Sequence, residues 1–215
     1  MSIETPHISK KIGSEPFSFN GDTAIPIQAS VSDFWRWSAS DLMSNTMRGV
    51  LAEYIVCRAI GSDSDFRQEW DAYDILTPEN IKVEIKSSAY LQAWKQKDYS
   101  KISFGIQPTQ GWDARTGEYS GEKKRQADVY IFCVLTEKNP KIIDPLKLEQ
   151  WDFYVMRTAI LNDKLGDQET LALRSLQKLK PRKANVSTLR DVYLAEAQAS
   201  DQPAASPSPI SRQRQ

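Results

Sequence analysis

Trp70-Asp71-Ala72-Tyr73-Asp74-Ile75-Leu76-Thr77-Pro78-Glu79-Asn80-Ile81-Lys82-Val83-Glu84-Ile85-Lys86-Ser87-Ser88 is the stretch on which the fold turns. Ile81, Val83 and Ile85 alternate with Lys82, Glu84 and Lys86, the period-2 pattern of a half-buried strand. Glu84 and Lys86 therefore share one face, a single pleat apart. Pro78 presets the φ of the first central position of a type I turn, Glu79 takes the second, and Asn80 tolerates the left-handed region. Such a three-residue loop pairs Thr77 with Ile81. Counting back along the ladder, Asp74 falls opposite Glu84, with Cβ atoms about 4.5–5.5 Å apart. A slip of one residue would set Asp74 against Val83, on the wrong face.

Two like charges side by side on a sheet are destabilising. A divalent cation removes that cost, because hard ions such as Mg²⁺ take carboxylate oxygens. Lys86 beside the pair adds a fixed positive charge suited to an anionic substrate or to charge developing on phosphorus. The plainer alternative is an exposed amphipathic hairpin whose charges are merely solvated.

Upstream, Asn45-Thr46-Met47-Arg48-Gly49-Val50-Leu51-Ala52-Glu53-Tyr54-Ile55-Val56-Cys57-Arg58-Ala59-Ile60-Gly61 carries apolar residues at helical spacing and a glycine at the stop. Ser38 and Asp41 have the spacing of a capping box for it. Glu53 lies within this otherwise apolar helix and needs a cation or hydrogen-bond donors. It is either a third acid for the hairpin site or a flank carboxylate paired with Arg48 or solvent.

Glu53, then Asp74, then Glu84-Ile85-Lys86 resembles the PD-(D/E)XK nuclease superfamily, and the Arg48-Gly49 … Ala52-Glu53 helix is similar to its Holliday-junction-resolvase-like branch. The likeness covers roughly residues 45–90. It implies a restriction-endonuclease-like core with a catalytic β-hairpin, and metal-dependent hydrolysis of a nucleic-acid phosphodiester. By that resemblance Asp74 and Glu84 bind Mg²⁺ (or Mn²⁺), the Ile85 carbonyl is a further ligand, Glu53 assists at the metal, and Lys86 positions the attacking water. Tyr73 stands where the motif has proline, and Asp71, three residues before Asp74, belongs to the opposite strand face.

Composition narrows the alternatives. The 215 residues suit one domain with a substantial core. Lys plus Arg and Asp plus Glu are each 28, so there is no global basic signal. Charge is unevenly spread, however. Arg174, Lys178, Lys180, Arg182, Lys183 and Arg190 occur with no acid between them, and Lys95, Lys97, Lys101 and the Lys123-Lys124-Arg125 run form further patches. Each is suited to phosphate contact or to a solvated face. His7 is the single histidine, which removes His-based nucleases, Ser-His-Asp hydrolysis and His-ligated zinc. Cys57 and Cys133 read as core thiols of a reducing compartment. Residues 117–124 have the wrong spacing for a phosphate loop, so no nucleotide cofactor is expected. No signal peptide or membrane span is visible, and a cytoplasmic location is expected.

Residues 1–30, with Pro6, Pro16 and Pro26, read as an arm, 31–196 as the nuclease-like domain, and 197–215 as a disordered tail. Phe34-Trp35-Arg36-Trp37 is expected in the core, with base stacking as the alternative. Residues 87–99 are expected to form a helix presenting Gln92 to a phosphate. Residues 101–106 read as a strand, 107–125 as a long substrate-facing loop, 127–135 as a buried central strand and 151–156 as another strand. Helices are expected near 168–179 and 187–197. The whole is an α/β (α+β) domain with a mixed central β-sheet flanked by helices.

The leading expectation is a Mg²⁺-dependent endonuclease acting on DNA in restriction, repair or junction resolution. Its catalytic residues would be Glu53, Asp74, Glu84 and Lys86, and Gln92, Lys123, Lys124 and Arg125 would touch substrate. Symmetric dimers are a common solution for such enzymes, so a homodimer is possible. The alternative is a DNA-binding or assembly subunit that keeps the fold without turnover.

Overall fold

Alternating side-chain direction along the strands sorts the buried residues into two cores on either side of one sheet. The computed structural model describes residues 10–23, 27–62, 67, 72–113 and 118–199. Its elements in chain order are α1 (Val31–Ala39), α2 (Asn45–Ile60), β1 (Ile75–Leu76), β2 (Lys82–Ala89), β3 (Ser103–Gly105), β4 (Thr109–Asp113) and β5 (Glu118–Lys124). They continue with β6 (Val129–Leu135), β7 (Trp151–Arg157), α3 (Thr158–Leu165), β8 (Thr170–Ala172), α4 (Leu173–Lys178), β9 (Arg182–Ala184) and α5 (Leu189–Gln198). His7, Trp70, Asp71 and the tail from residue 200 lie outside the described residues.

The main sheet has the order β1-β2-β6-β7-β9. It is mixed: β2 and β6 run parallel, and the other neighbours antiparallel. Val83, Ile85, Ile131, Cys133, Phe153 and Val155 face one way and pack with Ala52, Ile55 and Val56 of α2 and Leu189 and Tyr193 of α5. Tyr130, Phe132, Val134, Tyr154 and Met156 face the other way, onto Ile102, Phe104, Leu161, Leu171 and Leu176. All seven residues of β6 are buried, as its unbroken apolar run requires of a central strand.

The hairpin turn is the expected one. Thr77 N–H donates to Ile81 O at 3.0 Å, Asn80 N–H to Thr77 O at 2.8 Å, and Asn80 holds φ at 61°. Ile75 pairs with Val83 and Leu76 with Lys82, which is the anticipated register. From the far side, α5 pins this turn: Tyr193 Oη donates to Glu79 Oε2 at 2.7 Å and Arg190 Nη2 lies 3.4 Å from Glu79 Oε1.

Helix α2 runs as expected to Gly61, which takes the left-handed cap at φ 75°, but Ser44 caps its start, accepting from Met47 N–H at 3.2 Å. The capping box belongs instead to α1, where Ser30 and Asp33 satisfy each other's N–H groups. Helix α1 buries none of its residues, and Trp37 is 84% exposed. The aromatic group at 34–37 is therefore a surface feature, contrary to its expected place in the core.

Two further expectations fail for one reason, namely that ladder pairing overrides local propensity. No helix follows Lys86. Ser87, Ser88 and Ala89 continue the parallel ladder against Cys133, Val134 and Leu135, and residues 90–102 are irregular. Nor is 107–125 a loop: β4 and β5 pair antiparallel through it. Strands β8 and β9 and helix α3 were not anticipated, although α4 and α5 lie where helices were expected.

Candidate active site

The site begins where β1 ends. This strand is only two residues long, so the Ile85 N–H of β2 is left without a backbone partner on that edge. Asp74 fills the gap, its Oδ2 accepting from Ile85 N–H at 2.6 Å. The ladder's last pair is Ile75–Val83, one position short of Asp74 and Glu84, and the two carboxyls are near enough for the charge of Glu84 to act on Asp74. Asp74's own N–H bonds Val83 O at 3.1 Å, which fixes the residue close to β2.

Burial pushes the Asp74 carboxyl up to about 7 from its ordinary 3.8. The negative charge of Glu84 adds to the rise, and that of Glu53 adds further, while the Ile85 N–H and Lys86 pull it back. Asp74 and Glu84 thus form an acid pair whose joint ionisation is opposed. Lys86 Nζ is ion-paired with Glu84 Oε1, one pleat along the same face. Beyond Glu84 in the parallel ladder stands Tyr130, buried, its hydroxyl held strongly towards the neutral form by burial and then by Glu84. Sequence reading missed Tyr130, since an unbroken apolar run does not disclose which member meets an acid.

Glu53 reaches the neighbourhood from α2 but is engaged by Arg67, with Nε–Oε2 2.5 Å and Nη2–Oε1 3.2 Å. Arg48 is not its partner. That side chain is 4% exposed and donates to Met43 O, Asn45 Oδ1 and Gln92 Oε1. Gln92 in turn donates to Ala89 O at 2.9 Å and Ser100 Oγ at 3.1 Å, so it ties α2 to the end of β2.

Of the expected basic contacts, Lys123 and Lys124 are exposed on β5. Arg125 is not on the surface with them. It is 5% exposed, and its guanidinium donates to Ile106 O, Asn162 Oδ1, Gly166 O and Gln168 O at 2.7–2.9 Å. A guanidinium satisfied by three carbonyls and an amide is a brace, which corrects the reading of Arg125 as a substrate contact. Within the basic run after 174, Arg182, Lys183 and Arg190 each meet an acid from elsewhere: Glu196, Asp152 and Glu79.

The donors at the site are hard oxygens. Mg²⁺ is commonly held by one or two carboxylates with waters completing its shell, and the Asp74–Glu84 pair, with the Ile85 carbonyl on the same strand, fits that description. Among the described residues no three of His, Cys, Asp and Glu converge as a ready set of ligands, since Glu84 and Glu53 each face a basic side chain.

Comparison with known families points to an endonuclease. The model of the bacteriophage T4 endonuclease IV family matches residues 27–174, more than half of the chain, and the chain belongs to that family. The matched span contains Glu53, Asp74, Glu84, Lys86 and the β4–β5 pair, and ends before β9 and α5. No curated protein matches the chain.

Proposed function

We infer that this protein is a Mg²⁺-dependent DNA endonuclease of the PD-(D/E)XK type, with Asp74, Glu84, the Ile85 carbonyl and Lys86 as its working groups and Glu53 in support. The observation that supports the reading is the Asp74–Glu84 pair: burial and the neighbouring acid raise the Asp74 carboxyl, and such a pair, with a lysine one pleat away, would suit a cation. When bound, the metal supplies charge neutralisation at the scissile phosphate and eases ionisation of the attacking water.

The protein's own groups do the rest. Ile85 N–H fixes the Asp74 carboxylate at the sheet edge. The ion pair with Lys86 keeps Glu84 compensated in the absence of metal. Glu84 would hold the cation together with Asp74, and Lys86, on the same face, would orient the attacking water and meet charge developing on the phosphate oxygens. Mn²⁺ is expected to substitute.

The test is cleavage of supercoiled plasmid and of branched DNA in Mg²⁺ or Mn²⁺ by wild type, Lys86→Ala and Asp74→Ala. Metal-dependent cutting lost in both variants supports the reading. Metal-independent cutting, or full activity in either variant, refutes this assignment of the site. Binding of DNA without any cleavage would favour a non-catalytic subunit.

A further inference from the structure

Strands β4 and β5 form a two-stranded ribbon that makes its substantial contacts only with itself among the described elements. Isolated hairpins are marginal in water, so this one depends on its root and on a cross-strand aromatic pair. The root is rigid on both sides. Arg125, directly after β5, bonds the carbonyl of Ile106, just before β4, and braces both against Asn162, Gly166 and Gln168. Gln126 Nε2 donates to Thr109 O at 2.8 Å. The Gln126 amide also lies over Gly111 so closely that an added Cβ would stand 3.0 Å from its Oε1.

Register separates the two faces of the ribbon. Gln110 pairs with Lys123 and Trp112 with Tyr119, and because 110 and 112 are two apart these four positions share one face. The pair 109–124 falls on the other, where Gln126 crosses Gly111. The first face carries no acid. It has one lysine, one amide and two aromatic rings with centroids 4.8 Å apart, and Tyr119 is 66% exposed.

The ribbon leaves the body on the side of the sheet that carries Glu84. Ile106 and Ala127 at its root belong to the same cluster as Tyr130, the ladder neighbour of Glu84.

Resting on the endonuclease reading, we propose that the β4–β5 ribbon is a DNA-holding arm, whose Gln110/Trp112/Tyr119/Lys123 face lies against the substrate strand beside the cleavage site. Lys123 meets phosphate, with Lys124 flanking it from the other face, and the exposed ring of Tyr119 packs on a sugar or base. Arg125 and Gln126 hold the arm at a fixed angle and do not touch DNA.

The test uses the full chain in EDTA, so that no strand is cut, with a fluorescein-labelled 30-nucleotide DNA offered as a single strand and as a duplex, titrated by anisotropy across a KCl series. Lys123→Ala/Lys124→Ala should weaken binding about tenfold near 0.1 M salt and reduce the slope of log K against log salt by one to two. Tyr119→Leu, which keeps apolar packing on Trp112 but removes the ring, should weaken it about tenfold while leaving the salt slope unchanged. Unchanged affinity and slope in the lysine variant, with native circular dichroism, overturn the proposal. So does a dimer in wild type that Tyr119→Leu dissociates without any effect on DNA, for then the ribbon's occupant is a second copy. Ribbon-dependent binding by a protein that never cuts DNA would sink the nuclease reading and leave the arm standing. Cleavage by a protein whose ribbon variants bind as wild type does the reverse.

Discussion

Raising the pH of the metal-free protein from about 4 to about 8 is expected to remove up to about 4 kcal/mol of stability through Asp74 and the repulsion it shares with Glu84. Its carboxyl stands at about 7 in the folded chain against an ordinary 3.8, and each unit of that difference is worth about 1.4 kcal/mol. The folded state binds the proton more tightly than the unfolded state does. Below 3.8 both forms are protonated and the site is without penalty. Between 3.8 and 7 the unfolded chain alone gives up its proton, so stability falls as pH rises. Above 7 both are ionised and the full cost persists. Asp74→Asn keeps an oxygen for the Ile85 N–H but cannot ionise, so the other titrating groups largely cancel when it is compared with wild type. Urea unfolding in EDTA at intervals from pH 4 to pH 8 measures the difference directly. Wild type should lose ground to the variant by several kcal/mol across this range, and saturating Mg²⁺ at pH 8 should restore about 2.7 kcal/mol or more to wild type at a hundredfold excess over Kd. A difference that stays flat with pH would refute the claim that Asp74 is held near Glu84 in a desolvated site. Equal Mg²⁺ stabilisation of both proteins would refute its place at the metal.

Lys86→Ala is expected to cut DNA 10²- to 10³-fold more slowly, by the loss of one charged donor, yet to bind Mn²⁺ at least as tightly as wild type in calorimetry, because Glu84 is released from its ion pair. Weaker metal binding would make Lys86 a structural prop. Arg125→Ala strips its donor from the buried Ile106 carbonyl and from the part-buried Gly166 and Gln168 carbonyls and should cost about 2 kcal/mol or more in chemical unfolding. A loss under 1 kcal/mol would contradict its role as the ribbon's brace. Trp37→Ala, at a site 84% exposed, should change stability by less than about 0.5 kcal/mol, whereas a core tryptophan would cost about 3–5 kcal/mol; thermal unfolding decides between them.

What the sequence disclosed follows the range of the forces involved. The hairpin was legible to the residue because Pro78 and Asn80 constrain the turn locally and alternation from 81 to 86 fixes the faces; together they leave one register. Central strands β6 and β7 were legible because a sheet covered on both sides demands unbroken apolar runs. The ribbon was not. Its glycines and charges read as loop, and its ladder shifts register between Gln110 and Trp112, so no simple alternation exists to be found. Residues 87–99 failed for a related reason: Ser87 to Ala89 have little preference of their own and are held extended by β6, whose paired residues lie 46 positions further along the chain. The charge brackets were the least visible part. Nothing near Glu53 announces Arg67, and nothing in Lys123-Lys124-Arg125 says that the third of three adjacent basic residues turns inward.

The candidate site owes its character to an unfinished edge. Had β1 continued past Ile75, the Ile85 N–H would have found a backbone carbonyl and Asp74 would have been one more side chain on a ladder. Because the strand stops, the carboxylate itself completes the ladder, and one hydrogen bond at 2.6 Å draws it in beside Glu84. That bond favours the charged form, but burial and the neighbouring acid outweigh it, which is why the carboxyl ends near 7 and not below 4. The arrangement holds only if the hairpin cannot swing away. At its other end the turn is tied down through Glu79, which accepts from Tyr193 on α5, and α5 is itself clamped to the sheet by Glu196 between Arg157 and Arg182. The acid pair is thus kept under electrostatic opposition by ordinary structural contacts made at both ends of one hairpin.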